Sequence, residues 1–247
     1  RLMKEKGLQG SDLIFDLDGD HLPGVTDGDF PAMIHVIQEQ AHQLWTDFLD
    51  PEFGFEEKFL QVTFSGHRGF HLHYRSPDIW ELDSQARREI VAHIKGEGAD
   101  VSTIIQGPDS DWKRRIISGV DAVLNKLDLA HNGNRQVQKV LKGIIDSRRS
   151  GVGEKRLLTL AEKAQNQGRR ERLVEGYTSG KLSSQFGDNL DKIFNDLVIG
   201  DKAVVLGNAG ETDEVVTIDL KRVIRWPTSL HGKSGMKVVE LPVNRLD

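Results

Sequence analysis

"DLIFDLDGDHLPG", residues 12–24, is the stretch on which the fold turns. The apolar run Leu13 to Phe15 leads into Asp16, Leu17, Asp18 and Gly19. Residues 12–18 read as a strand with a buried flank. Side chains alternate along a strand, so the carboxylates of Asp16 and Asp18 share one face. Two like charges so placed are costly unless a cation sits between them. Two chemistries use such a pair. One is a nucleophilic aspartate with an acid/base partner. The other is a pair of oxygen ligands for two divalent ions, Mg2+ or Mn2+. A turn-forming Asp/Gly cluster at a strand end is the plainer alternative.

The rest of the chain narrows the choice. Its 247 residues suffice for one large domain or two modest ones. With 37% hydrophobic and 29% charged residues it has the composition of a globular protein. No run approaches the ~18 apolar residues of a membrane helix, so no membrane association is expected. There is no cysteine, which removes disulfides, thiolate catalysis, iron–sulfur clusters and any cysteine-built zinc site. A cytoplasmic location is expected. Net charge is −5, so a nucleic-acid role has to rest on a local basic face. The chain starts at Arg1 and reaches its strongest motif within 15 residues, so a preceding segment is expected to be missing.

Met33, Ile34, Ile37, Ala41, Leu44, Trp45 and Phe48 have the spacing of an amphipathic helix over 31–49. "KFLQVTF" (58–64) and "GFHLHYR" (69–75) are β-rich runs joined tightly by "SGHRG". Asp83 is a candidate N-cap and Gly96 a stop for the helix between them. From about 109 to 199 nearly everything reads as polar, charged helix. Strand character returns at 202–206. "VTIDLKRVIRWP" predicts a short helix stopped by Pro227, then a loop and "MKVVEL". The expected fold is α+β: a mixed sheet flanked by helices, with an all-helical insertion. Its parts are a first core segment (1–108), the insertion (109–199) and a second core segment (200–247).

Two basic constellations accompany the acidic strand. In "SGHRGFHLHYR", Gly66 and Gly69 allow backbone turns that converge amides on an anion, and Arg68 can grip phosphate. His71, His73 and Arg75 share one face of the following strand, and Phe70, Leu72 and Tyr74 the other. In "RWPTSLHGKSG", Arg225, Ser229, His231 and Lys233 occupy a loop able to hold a triphosphate. Each alone reads as a solvated hairpin or a surface turn. Together with an acidic strand they are the complement of metal-bound nucleotide.

These segments resemble the catalytic (small) subunit of archaeal and eukaryotic DNA primases, in the archaeo-eukaryotic primase superfamily. "FDLDGDHL", "FSGHRGFHLHY" and "VIRWPTSLHGKSG" carry the likeness in the family's order, and "ELDSQARREIVAHIKG" also looks archaeal. The resemblance spans residues 12 to about 240. It implies a primase/RRM-like core that makes short RNA primers on single-stranded DNA from nucleoside triphosphates, as a heterodimer with a large primase subunit. It implies a two-metal site of Mg2+ or Mn2+ on Asp16, Asp18 and Asp213, with Asp219 as second choice for the third carboxylate. It implies nucleotide binding by Ser65, Arg68, His71, Arg225 and His231. Two departures stand out. His67 replaces a frequent arginine, and the zinc knuckle of many relatives is absent for want of cysteine.

Two alternatives remain. A haloacid-dehalogenase-type phosphatase would use Asp16 as nucleophile, but Asp20 follows the glycine where Thr or Val is usual. Its lysine and late acidic pair would have to come from Lys181 and "GDNLD" (187–191), in a helical stretch. A non-catalytic nucleic-acid-binding module would need a basic or aromatic stripe, in a chain that is acidic and only 6% aromatic.

Overall fold

The structure, a computed structural model, describes residues 7, 9–19, 29–149, 151–204, 206, 216–220 and 223–246. The chain divides into two compact units, 1–95 with 204–247, and 96–203. The helical unit begins at Gly96.

In the first unit, β1 (Leu13–Asp18), β2 (Leu60–Phe64), β3 (Gly69–Tyr74) and β4 (Val239–Leu241) form one sheet in the order β1-β3-β2-β4. All three pairings are antiparallel, so the sheet expected to be mixed is antiparallel among the described strands. Register aligns Phe15, Leu72 and Val62 on one face, and Asp16, His71, Thr63 and Glu240 on the other. The apolar face packs on α1 (Phe30–Gln43), which buries Met33, Ile37 and Ala41. Asp29 caps α1 by accepting from the Ala32 amide at 3.1 Å. The expected helix to residue 49 finishes as a π turn, Leu44–Leu49, that buries Leu44, Trp45, Phe48 and Leu49.

Asp83 caps α2 (Ser84–Ile94), and Gly96 follows it with φ +59°. The guanidinium of Arg87, 2% exposed, donates to the carbonyls of Ser11, Asp12 and Leu82 at 2.8–2.9 Å. The Thr217 carbonyl lies 3.5 Å from it, and the Thr217 hydroxyl donates to the Ile14 carbonyl at 2.6 Å. Thr217 is thus pinned beside β1. The helix expected through "VTIDLKRVIRWP" is not formed among its described residues: 216–218 is a turn and 223–226 is irregular. Hydrogen bonds to β1 and α2 hold Thr217 instead. The strand expected at 202–206 is also absent among the described residues, because α8 runs through Lys202 and irregular backbone follows.

The second unit contains α3 (Val101–Gln106), α4 (Asp111–His131), α5 (Arg135–Arg148), α6 (Glu154–Lys163), α7 (Gln167–Ser179) and α8 (Asp188–Lys202). α4 is its centre. Ile116, Val120, Val123, Leu124 and Leu127 form a buried stripe at helical spacing. Helices α5, α6, α7 and α8 all contact α4. Asp100, Ser110, Asn134 and Asn166 each cap a helix through a side-chain oxygen. No helix is long and apolar enough to cross a membrane, among the described residues.

Candidate active site

β1 alternates strictly. Leu13, Phe15 and Leu17 are buried, while Asp16 and Asp18 emerge half-buried on the opposite face. Asp18 stands opposite Gly69. A Cβ at Gly69 would lie 2.3 Å from the Leu17 carbonyl oxygen, so only glycine admits this close approach of β3 to β1.

Asp16 Oδ1 is 3.4 Å from His71 Nε2. The His71 side chain is 3% exposed. Burial lowers its pKa to about 3, assisted by His73 and Arg225. It is therefore neutral near pH 7, and its proton belongs on Nε2, facing Asp16. Its Nδ1 is buried with no described partner. His73 is fully buried, and burial with the nearby Arg75 lowers its pKa to about 4. Neither of its ring nitrogens, nor the buried Thr63 hydroxyl, has a described partner. The face that looked cationic from His71, His73 and Arg75 thus holds two neutral imidazoles and one cation. Burial is the main reason, and neighbouring Arg225 and Arg75 add to it.

The β2–β3 turn is shaped by Ser65. Its amide donates to the Gly69 carbonyl at 2.8 Å, and its hydroxyl oxygen accepts from the Gly69 and His67 amides at 3.1 and 3.4 Å. The Arg68 carbonyl accepts from the Gly19 amide at 2.9 Å, which ties the turn to the end of β1 beside Asp18.

The second basic loop closes over this turn. Its arms are joined by Thr228 to Val238 and His231 to Met236 backbone bonds. The Ser234 hydroxyl donates to the Gly66 carbonyl. The His231 ring stacks on His67, with centroids 4.7 Å apart and planes 5° from parallel. His231 is 7% exposed, and its Nδ1 accepts from the Lys233 and Ser234 amides at 3.3 Å each. Its proton therefore sits on Nε2, available as a donor. Burial lowers its pKa, as do Arg225, His67 and Lys233, and Asp18 opposes them. Arg225 is exposed and acts on both His71 and His231.

One unit therefore brings Asp16, Asp18, Ser65, Arg68, His71, Arg225 and His231 into one neighbourhood. Asp213 lies outside the described residues. Asp219 follows the pinned Thr217 in irregular backbone, not in a helix. Among the described residues no group of three His, Cys, Asp or Glu is placed to hold a metal. The Asp16/Asp18 pair still fits a hard ion such as Mg2+, which commonly takes one or two carboxylates and completes its shell with substrate phosphates and water. A nitrogen-rich zinc site fits poorly, because the protonated nitrogen of His71 faces Asp16. Sequence reasoning gave no role to His67, which backs His231, and missed Trp226. The Trp226 ring meets His73 edge-on at 5.9 Å and lies 4.3 Å from the Arg75 guanidinium. Its tryptophan–proline position was the one available signal. Lys181 and 187–191, needed for the phosphatase reading, belong to the helical unit.

Paired carboxylates at a strand end stand beside a glycine turn and a loop of histidine and arginine on an α+β fold. The chain belongs to the DNA primase small subunit family, whose sequence model matches residues 15–243. It is 34% identical over 270 aligned residues to the DNA primase small subunit PriS of Methanothrix thermoacetophila, covering 99% of this chain and 64% of that protein. PriS of Halobacterium salinarum is 34% identical over 268 residues, with 62% of it covered. PriS of Thermoplasma volcanium is 31% identical over 245 residues, with 57% covered. The chain thus spans about three-fifths of the length of these relatives.

Proposed function

We propose that the chain is the catalytic part of a DNA primase, joining nucleoside triphosphates into short RNA primers on a single-stranded DNA template. The observation that carries this reading is the placement of Asp16 and Asp18 beside the interlocked basic turn and loop. On this reading Asp16, Asp18 and Asp213 hold two Mg2+ or Mn2+ ions. When bound, these lower the pKa of the attacking 3′-hydroxyl and offset charge in the in-line transition state. The remaining work belongs to the chain's own groups. His71 sets a neutral imidazole against Asp16, with Nε2 3.4 Å from its carboxylate. Arg68 and Arg225 supply charge to the triphosphate, and His231 supplies an Nε2–H. Ser65 acts through the turn it shapes. The pyrophosphate leaves against these donors, which offset its charge as it develops. A large primase subunit is the expected partner, and a cytoplasmic setting follows from the same reading.

The test is incorporation of labelled ribonucleotides on a single-stranded template, with phosphomonoester hydrolysis run alongside. Asp18→Asn should lower kcat by more than about a hundred-fold at saturating nucleotide, as loss of several kcal/mol of charge stabilisation requires. His231→Ala should raise KM by about ten- to a hundred-fold, the equivalent of one charge-assisted hydrogen bond. Phosphatase activity abolished by Asp16→Asn, without incorporation, would overturn the reading.

A further inference from the structure

Trp226 is 51% exposed and Trp80 43%, whereas Trp45 and Trp112 are 6% and 8% exposed. Exposure of so large a ring usually comes with mobility, but this ring is held. The Arg75 guanidinium lies 4.3 Å from its centroid, and His73 meets it edge-on. Arg75 is itself anchored, donating to Asp12 Oδ2 at 3.0 Å and to the Gln61 side chain. Beyond the ring, the Ser229 amide and hydroxyl both donate to the Trp226 carbonyl, fixing its backbone. The ring therefore presents a flat apolar surface in one orientation, and little freedom is left to lose on binding.

The surroundings select the ligand. Arg225 precedes the ring, and Lys233 and Lys237 lie on the same loop, all three exposed, interspersed with the exposed apolar side chains of Leu230 and Met236. An apolar protein helix would have to bury its contacts among these cations. An inorganic anion has no use for the ring. A single strand of nucleic acid matches both features, since each nucleotide brings one π-face and one phosphate. A duplex does not match, because its base faces are already covered by stacking. We infer that Trp226 is a stacking platform for a nucleobase of single-stranded DNA, with the backbone phosphates tracking Lys233 and Lys237. The inference rests on the primase reading for its biological setting, but its chemistry is independent of catalysis.

The experiment measures binding without divalent metal, so no turnover enters. A labelled oligo-dT strand and an abasic strand of the same length are titrated against the 247-residue chain and its Trp226→Ala and Trp226→Phe variants. Thermal unfolding of each variant is recorded in parallel. Loss of one stacked base should weaken oligo-dT binding about five- to a hundred-fold in Trp226→Ala. Trp226→Phe should retain most of the affinity, and the abasic strand should bind all three proteins alike. Equal loss on both strands would reduce the ring to a structural prop and overturn the inference. So would unchanged oligo-dT binding in Trp226→Ala, or failure of the unsubstituted chain to bind the strand. Weakened binding of free dTTP with unaffected strand binding would assign the ring to a lone nucleotide and also overturn it. A chain that incorporates no nucleotide yet shows base-dependent loss at Trp226 would sink the catalytic reading while upholding the platform.

Discussion

His73 should make the protein acid-sensitive by a calculable amount. It is fully buried and held neutral, with its pKa lowered from 6.5 to about 4 by burial first and by Arg75 second. In the unfolded chain it titrates near 6.5. The unfolded state therefore binds the proton first as pH falls. The stabilising contribution is complete above about pH 6.5 and is lost as pH drops toward 4. Each unit of difference is worth about 1.4 kcal/mol, so roughly 2.5 kcal/mol should disappear between pH 7.5 and 4.5. The perturbation that isolates this is His73→Gln, which is similar in size and does not titrate. Other carboxylates and histidines titrate in both proteins and cancel in the difference. Urea unfolding of both at the two pH values gives the four free energies needed. The stability of the unsubstituted chain relative to His73→Gln should fall by about 2.5 kcal/mol on acidification. A difference that stays within about 0.5 kcal/mol, a surface-substitution scale, would mean that His73 is solvated or already paired, and the argument from burial would fail.

Two further outcomes test the scaffold of the site. Arg87→Met strands three backbone carbonyls and should cost about 3 kcal/mol in urea unfolding, whereas Arg88→Met, on an exposed neighbour, should stay within about 0.5 kcal/mol. Gly66→Ala adds a side chain at φ +81°, with its Cβ 3.0 Å from the Met236 carbonyl oxygen and 3.1 Å from His231 Cβ. The strain and displacement of the His231 loop, about 1–2 kcal/mol, should raise the nucleotide KM roughly ten-fold with a smaller change in kcat.

Much of this was legible in the sequence because it depends on local periodicity. The i, i+2 spacing placed Asp16 and Asp18 on one face, and the same alternation separated His71 and His73 from Phe70, Leu72 and Tyr74. Caps such as Asp83 are local hydrogen-bond patterns and were equally readable. What was not legible depended on distant partners. "VTIDLKRVIRWP" has helical character by itself, but Thr217 is claimed by the Ile14 carbonyl more than 200 residues away. The histidines of β3 looked solvated because nothing near them in sequence shows that Arg225 and Trp226 come to lie beside them. Histidine charge is a property of the covered site, and the cover comes from the other end of the chain.

The Val204 amide donates to the Ile94 carbonyl at 3.4 Å. The chain thus leaves the sheet-bearing unit and re-enters it at the same place, after a detour of more than a hundred residues through the helices. Topologically, the sheet experiences the whole detour as a clasped hairpin. Loop-closure entropy grows only logarithmically with length, so lengthening or trimming the detour changes its closure cost little once that clasp is made. The helical part can diverge in size and sequence under its own selective pressures while the register between β1 and β3, and with it the carboxylate spacing, stays fixed.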